Sequence, residues 1–214
     1  MKTALVVDFD GTIAVNDVGN ELCERFAPAV WREIGARWLR QEISLPDAQR
    51  QMWALVQAEP EAWQSALREV GTLRSGWEVL LTHAQRSGWR LVLASGGFDD
   101  YIRALLGSAL DRFQEQFFNH MEWREGRPVV SFPHIERLGC AACAVCKGRI
   151  CAQYRQRGYR VVFVGDGSSD RCVLGHADRI FAVRDSLLAQ WCEAHGASFA
   201  EFDTFHEVIS SLSA

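Results

Sequence analysis

Two textures of apolar residues alternate along the chain. Short unbroken runs rich in Val, Leu and Ala recur at residues 4–7, 91–94, 161–164 and 180–183. Runs that are continuous rather than alternating predict strands covered on both faces, and so a mostly parallel sheet with helices on each side. Between the first two runs the period changes. Val18, Leu22 and Phe26 repeat every four residues, and Trp31, Ile34 and Trp38 form a helical stripe. The same spacing returns in Leu45, Met52, Leu55 and Val56 and in Trp63, Ala66, Leu67 and Val70. Ser44 with Asp47 three residues on, and Pro46 in the first turn, marks a helix start; Pro60 marks another. The pattern predicts an α/β fold in which a helical insert, residues 15–75, divides a core made of residues 1–14 and 76–214. Later helices are expected at 99–106, 145–157, 187–194 and 205–212, and a hairpin from 117–123 and 128–132 around Glu125-Gly126-Arg127.

Composition narrows the classes of function. The 214 residues are 48% hydrophobic and 23% charged, with a formal net charge of −4. A mildly acidic chain with scattered Lys and Arg argues against nucleic acid and anionic membrane as principal partners. No apolar stretch approaches the ~18 residues of a membrane span. The four apolar residues before Asp8 are too few for a signal peptide. Seven cysteines, an odd number, read as reduced thiols rather than a disulfide framework, which points to the cytoplasm.

The candidate chemistry lies where the apolar runs end. Asp8 and Asp10 close the first run in Asp8-Phe9-Asp10-Gly11-Thr12. Residues two apart on a strand project to the same side, so both carboxylates reach one spot. Such like charges are tolerable beside a divalent cation, or when one carries a proton, and those conditions suit one carboxylate to attack while its neighbour handles protons. Gly11 lets the backbone turn and approach a ligand closely. Ser95-Gly96-Gly97 follows the second run, offering a hydroxyl and backbone N–H groups where a strand yields to a helix N-terminus, a setting that favours an anion. Gly165-Asp166-Gly167-Ser168-Ser169-Asp170 follows the third. Asp166 opposite Asp8 suits a hard cation such as magnesium, and Asp170 is placed to orient a metal-bound water or hold Lys147. Lys147, the one lysine beyond Lys2, supplies a compact ammonium for a phosphate oxygen or a carboxylate. Taken singly, these stretches also read as an acidic turn, a glycine turn, a capped helix start and a surface lysine.

Their order along the chain resembles the haloacid dehalogenase superfamily, specifically its phosphatases with a helical cap between the first and second motifs, and the resemblance spans essentially the whole chain. It implies a Rossmann-like three-layer core with a small helical cap, and a magnesium-dependent phosphomonoesterase working through an aspartyl-phosphate. In that scheme Asp8 is the nucleophile and Asp10 the general acid and base. Ser95 and Lys147 hold the phosphate together with Gly11 and Gly96, and magnesium binds the Asp8 side chain, the Asp10 backbone carbonyl and Asp166. The finer pattern is similar to the branch holding phosphoserine phosphatase, the methionine-salvage phosphatases of a methylthio-ketopentenyl phosphate, and phosphoethanolamine/phosphocholine phosphatase. Asp8-Phe9-Asp10-Gly11-Thr12-Ile13 through Asn16-Asp17 to Phe26-Ala27-Pro28 looks most like the methionine-salvage group, as does a cysteine-rich segment before Lys147. The expected partner is a small phosphorylated metabolite, bound by a monomer or homodimer. Phosphoserine phosphatase, phosphotransferase or phosphomutase activity and non-catalytic binding of such a metabolite stand as alternatives.

Two features are left open. Cys140, Cys143 and Cys146 repeat every three residues with Cys151 beyond, a spacing that supplies thiolates to zinc or an iron–sulfur cluster, or else buried free thiols that position the loop carrying Lys147. In the cap, Asp17 is the expected substrate contact. Trp31, Trp38, Trp53 and Trp63 read as the cap's own core or an apolar lid, and Arg25, Arg32 and Arg50 as solvated helix faces or an anion subsite.

Overall fold

The computed structural model describes residues 2–213. Seven strands form one sheet: β1 (Thr3–Val7), β2 (Arg90–Phe98), β3 (Glu115–Arg124), β4 (Arg127–Ser131), β5 (Arg160–Gly165), β6 (Arg179–Val183) and β7 (Ala200–Phe202). Their spatial order is β4-β3-β2-β1-β5-β6-β7, parallel throughout except for the β3/β4 hairpin. The two-residue side-chain period sorts each strand between two faces. Leu5, Val7, Leu91, Leu93, Val162 and Val164 join one hydrophobic cluster, while Ala4, Val6, Val92, Ala94, Val161 and Phe163 join the other. Both faces are covered, which is why these strands read as unbroken apolar runs.

Four helices occupy the segment between β1 and β2 predicted as the insert: α1 (Val18–Phe26), α2 (Trp31–Leu39), α3 (Leu45–Trp53) and α4 (Pro60–Val70). Their starts follow the local chemistry. The Asp17 carboxylate caps α1 through the Asn20 N–H, and the Ser44 hydroxyl caps α3 through the Asp47 N–H. A fifth helix, α5 (Trp77–Arg86), precedes β2 and is absent from the sequence expectation. Beyond β2 come α6 (Asp99–Leu106), α7 (Ile135–Leu138), α8 (Lys147–Gln156), α9 (Leu187–Ala194) and α10 (Phe205–Ser213). Side chains of α5, α6 and α10 share the first cluster with those of the inserted helices, while α8 and α9 supply the second.

The chain leaves and rejoins the sheet side by side. Val15 N–H donates to the Thr72 carbonyl (2.9 Å), and Arg74 N–H donates to the Ile13 carbonyl (2.7 Å), so residues 13–15 and 72–74 run as a paired antiparallel neck. No helix among the described residues is long and apolar enough to cross a membrane.

β2 departs from expectation. The strand does not end at Ala94 but continues through Ser95-Gly96-Gly97 to Phe98, and its register against β3 shifts between Ala94 and Phe98. The serine and glycines therefore form a bulge rather than the start of α6, which begins at Asp99.

Candidate active site

β1 is the central strand, flanked by β2 and β5, and the crevice beyond its carboxyl end is the switch point where doubly wound sheets bind ligands. Asp8 N–H still donates to the Val164 carbonyl (3.0 Å), which fixes the residue against the end of β5. The chain then wraps Phe9–Ile13 into one wide turn closed by Ala14 N–H on the Phe9 carbonyl (2.9 Å). Gly11 takes φ +72° within it. Arg74, at the neck, holds this turn from outside: Nε donates to the Thr12 carbonyl (2.8 Å) and Nη2 to the Gly11 carbonyl (2.7 Å).

The predicted residues converge on that turn. Asp8 is 4% exposed and Lys147 fully buried, and Lys147 Nζ lies 2.7 Å from Asp8 Oδ2 while also pairing with Asp170 Oδ1. Burial opposes the Lys147 charge, but Asp170 and Asp8 outweigh it and hold the ammonium above its ordinary pKa. Burial pushes the Asp8 carboxyl up against the opposing pull of Lys147. Asp170 Oδ2 accepts the N–H groups of Asp166 (3.0 Å) and Gly167 (2.9 Å). Its oxygens are thereby committed to Lys147 and to the loop, a positioning role rather than a free ligand's. That loop continues as a short 3-10 segment, Ser168–Val173, not as the capped α-helix its sequence suggests. Asp166 Oδ1 accepts from the Thr12 hydroxyl (2.8 Å). Oxygen atoms of Asp8, Asp166 and Asp170 lie within 4.8 Å of one another, three acids facing one ammonium.

Asp10 turns to the opposite wall. Its Oδ1 accepts from Val18 N–H (3.1 Å) at the start of α1, and its Oδ2 accepts from Tyr101 OH (3.1 Å) and Ser95 Oγ (3.3 Å). Burial, then the Asp17 charge, raises its carboxyl to about 8. The β2 bulge places Ser95 here, its hydroxyl also accepting from Gly97 N–H (2.9 Å). A Cβ on Gly97 would lie 2.5 Å from Asp10 Oδ2 and 2.2 Å from Tyr101 OH, so this wall is closed to any side chain. The Gly96 carbonyl accepts from Gln49 Nε2 of α3 and Asn119 Nδ2 of β3, each at 2.8 Å.

Above these groups lies a cavity of about 520 Å³. Asp8, Asp10, Ser95, Gly96 and Asp166 line its floor, and Trp31, Trp38, Leu39, Leu45, Met52 and Trp53 line its roof and walls. Asp17 and Arg32 are at its edge. The tryptophans divide: Trp53 and Trp63 are buried in the core, whereas Trp31 and Trp38 are half-exposed on α2, which buries none of its residues fully. Arg25 and Arg50 pair with Glu69 (2.6 Å) and Asp47 (3.0 Å) on exposed helix faces away from the cavity, and Arg32 pairs with Glu24. Sequence reasoning missed Thr12, Arg74 and Tyr101. Thr12 stands inside the quoted first motif, and Tyr101 sits on the core face of the predicted helix 99–106; Arg74 carries no local signal. Cys151 is buried within α8 and is not one of the three cysteines whose sulfurs gather, namely Cys140, Cys143 and Cys146.

The fold is that of phosphoserine phosphatase. A substrate-bound phosphoserine phosphatase complex superposes with a TM-score of 0.74 at 18% identity, covering 99% of this chain and 98% of that one. A phospho-aspartyl intermediate analogue of phosphoserine phosphatase gives 0.70 at 20% identity, covering 99% of each. Among curated proteins, the 2-hydroxy-3-keto-5-methylthiopentenyl-1-phosphate phosphatase of Exiguobacterium sp. is 30% identical over 214 residues, covering 99% of this chain and 98% of the relative. The enzyme of the same name from Bacillus pumilus is 29% identical over 206 residues, covering 95% and 88%. The family model for haloacid dehalogenase-like hydrolases matches residues 5–175. The chain belongs to the haloacid dehalogenase-like hydrolases, as an enzyme of the phosphatase type.

Proposed function

We propose that the chain is a cytoplasmic, magnesium-dependent phosphomonoesterase of a small metabolite that joins a phosphate to an apolar tail. One observation carries this reading: a buried carboxylate, Asp8, held 2.7 Å from Lys147 Nζ, stands on the floor of a cavity roofed by tryptophan, leucine and methionine. The donor set fits the cation. Asp8 and Asp166 offer hard carboxylate oxygens, and the local surplus of acid over ammonium is what a divalent charge offsets. Asp8, Asp166 and the Asp10 carbonyl would hold magnesium, which when bound reduces repulsion between an anionic nucleophile and an anionic substrate.

The chain's own residues account for the proton and bond changes. Asp8 attacks phosphorus in line, forming an acyl phosphate as the ester P–O bond breaks. Asp10, poised in its protonated form, gives its proton to the leaving oxygen. The resulting carboxylate then takes a proton from water, which attacks phosphorus, frees Asp8 and yields inorganic phosphate. Lys147 and Ser95 hold the phosphoryl oxygens, and Asp170 fixes Lys147. Residues 15–75 act as a cap over the paired neck at 13–15 and 72–74, closing to exclude bulk water. Asp17 and Arg32 at the edge meet polar groups of the substrate.

The substrate for which the relatives are named, 2-hydroxy-3-keto-5-methylthiopentenyl-1-phosphate, has this character, and its methylthio end suits the Trp31, Trp38 and Met52 wall. The test is phosphate release with magnesium from a panel holding that compound, phosphoserine and other phosphomonoesters. Turnover highest on the thioether substrate, abolished by chelation and reduced by about 10⁴-fold or more in Asp8→Asn, is expected. No release from any member overturns the reading.

A further inference from the structure

Cys140 and Cys143 lie in the irregular stretch between α7 and α8, Cys146 immediately precedes Lys147 at the start of α8, and Cys172 follows Asp170 by two residues. The sulfur atoms of Cys140, Cys143 and Cys146 lie within 4.8 Å of one another. The Cys172 thiol lies beside those of Cys143 and Cys146, outside the group formed by the other three, and Gly148 N–H donates to its Sγ at 3.2 Å. All seven cysteines are free, so these four thiols are gathered without being cross-linked. A tetrahedral ion with metal–sulfur bonds of about 2.3 Å needs its sulfurs about 3.8 Å apart. An iron–sulfur cluster needs its thiolates spread around a larger body. A backbone N–H aimed at a sulfur is the outer support that metal thiolates take.

We propose that Cys140, Cys143, Cys146 and Cys172 bind one zinc ion in a closed four-thiolate site. Each thiol releases its proton to solvent on binding, and with no open position the ion takes no part in turnover. Its place in the fold gives its purpose. Cys146 adjoins Lys147 and Cys172 adjoins the Asp170 loop, so the ion ties together the two segments whose side chains form the Lys147–Asp170 pair. Their backbones already meet at Gly148, where a Cβ would lie 2.1 Å from the Cys172 carbonyl oxygen. The same loop reaches the insert, because the Ala142 carbonyl accepts from Leu45 N–H (3.1 Å) at the start of α3.

Elemental analysis of the full chain after dialysis tests the site independently of any phosphatase assay. About one zinc per chain is expected in the wild type and in Asp8→Asn, and less than about a tenth of that in Cys143→Ser and Cys172→Ser. Zinc-free wild type, zinc that departs in Asp8→Asn but persists in the serine variants, or iron with inorganic sulfide overturns the proposal. Should the serine variants fail to fold, the cobalt-substituted wild type decides. Intense thiolate-to-cobalt charge-transfer bands support the site, and the weak spectrum of oxygen-ligated octahedral cobalt rejects it.

Discussion

A methyl group added at Gly11 would lie 2.1 Å from Oδ2 of Asp166, with the whole Asp166 carboxylate inside 3 Å. Gly11 also holds φ +72°, where an L side chain costs about 1–2 kcal/mol. Gly11→Ala must therefore push Asp166 from its bond with Thr12 or unwind the turn that begins at Asp8. A loss of about 10–100-fold in metal affinity with far-UV circular dichroism unchanged is the expected outcome, read by magnesium titration of activity. Unaltered magnesium dependence would show that Asp166 is not where the cation binds.

Tyr101 and Asp10 form a second separable pair. Tyr101 is buried, and its OH donates to Oδ2 of the half-buried Asp10 at 3.1 Å. Tyr101→Phe keeps the ring and removes one hydrogen bond to a carboxylate, worth about 1.5–3 kcal/mol. The expected result is a fall in kcat of about tenfold or more with KM little moved. A variant that changes KM alone would assign Tyr101 to binding.

Asp100 accepts two indole N–H groups, Trp63 Nε1 at 2.9 Å from α4 and Trp123 Nε1 at 3.1 Å from β3. Trp63 also makes ring contacts with Phe26, Trp53 and Trp123. Trp63→Phe retains much of that packing and deletes one donor to a carboxylate. Unfolding free energy should drop by about 1–3 kcal/mol, measured by urea denaturation.

Two histidines should titrate in opposite directions. His120 Nδ1 lies 2.7 Å from Asp99 Oδ2, and this bond raises its pKa above the ordinary 6.5, so its contribution to stability is present below pH 6.5 and fades as pH rises through the folded value. Burial, then the charge of Arg137, lowers His134 below 6.5. Its preference for the neutral form favours the fold above pH 6.5 and is lost as pH falls through its folded value. Side-chain ¹⁵N resonances followed from pH 5 to 8 should give His120 above and His134 below 6.5; the reverse order would contradict both contacts.

How far the sequence discloses this arrangement depends on where each partner lies. The strands are legible because Val6, Val92 and Val162 are covered whichever face they meet, so the runs need no alternation. The acidic residues at strand ends are legible because a polar group that interrupts an apolar run must find polar partners, as Asp8 does in Lys147. The β2 bulge is not, because whether Ser95-Gly96-Gly97 ends a strand or bows out of it is set by its register with β3. Helix α5 carries a proper stripe in Trp77, Leu80, Leu81 and Ala84, but it abuts the neck and merges with the polar end of the insert. β7 spans only Ala200–Phe202, below the length at which a period can be read. Cys172 is the plainest case. Spacing nominates Cys151 beside Cys140, Cys143 and Cys146, yet a helix turns Cys151 into the core while β5 and its loop return the distant Cys172.

Helix α2 offers its tryptophans to the cavity and buries none of its own residues fully, leaving hydrocarbon in contact with water. Under the proposed function, a ligand with an oily end would finish the packing that the polypeptide leaves undone, and hydrolysis would strip that end of its phosphate anchor.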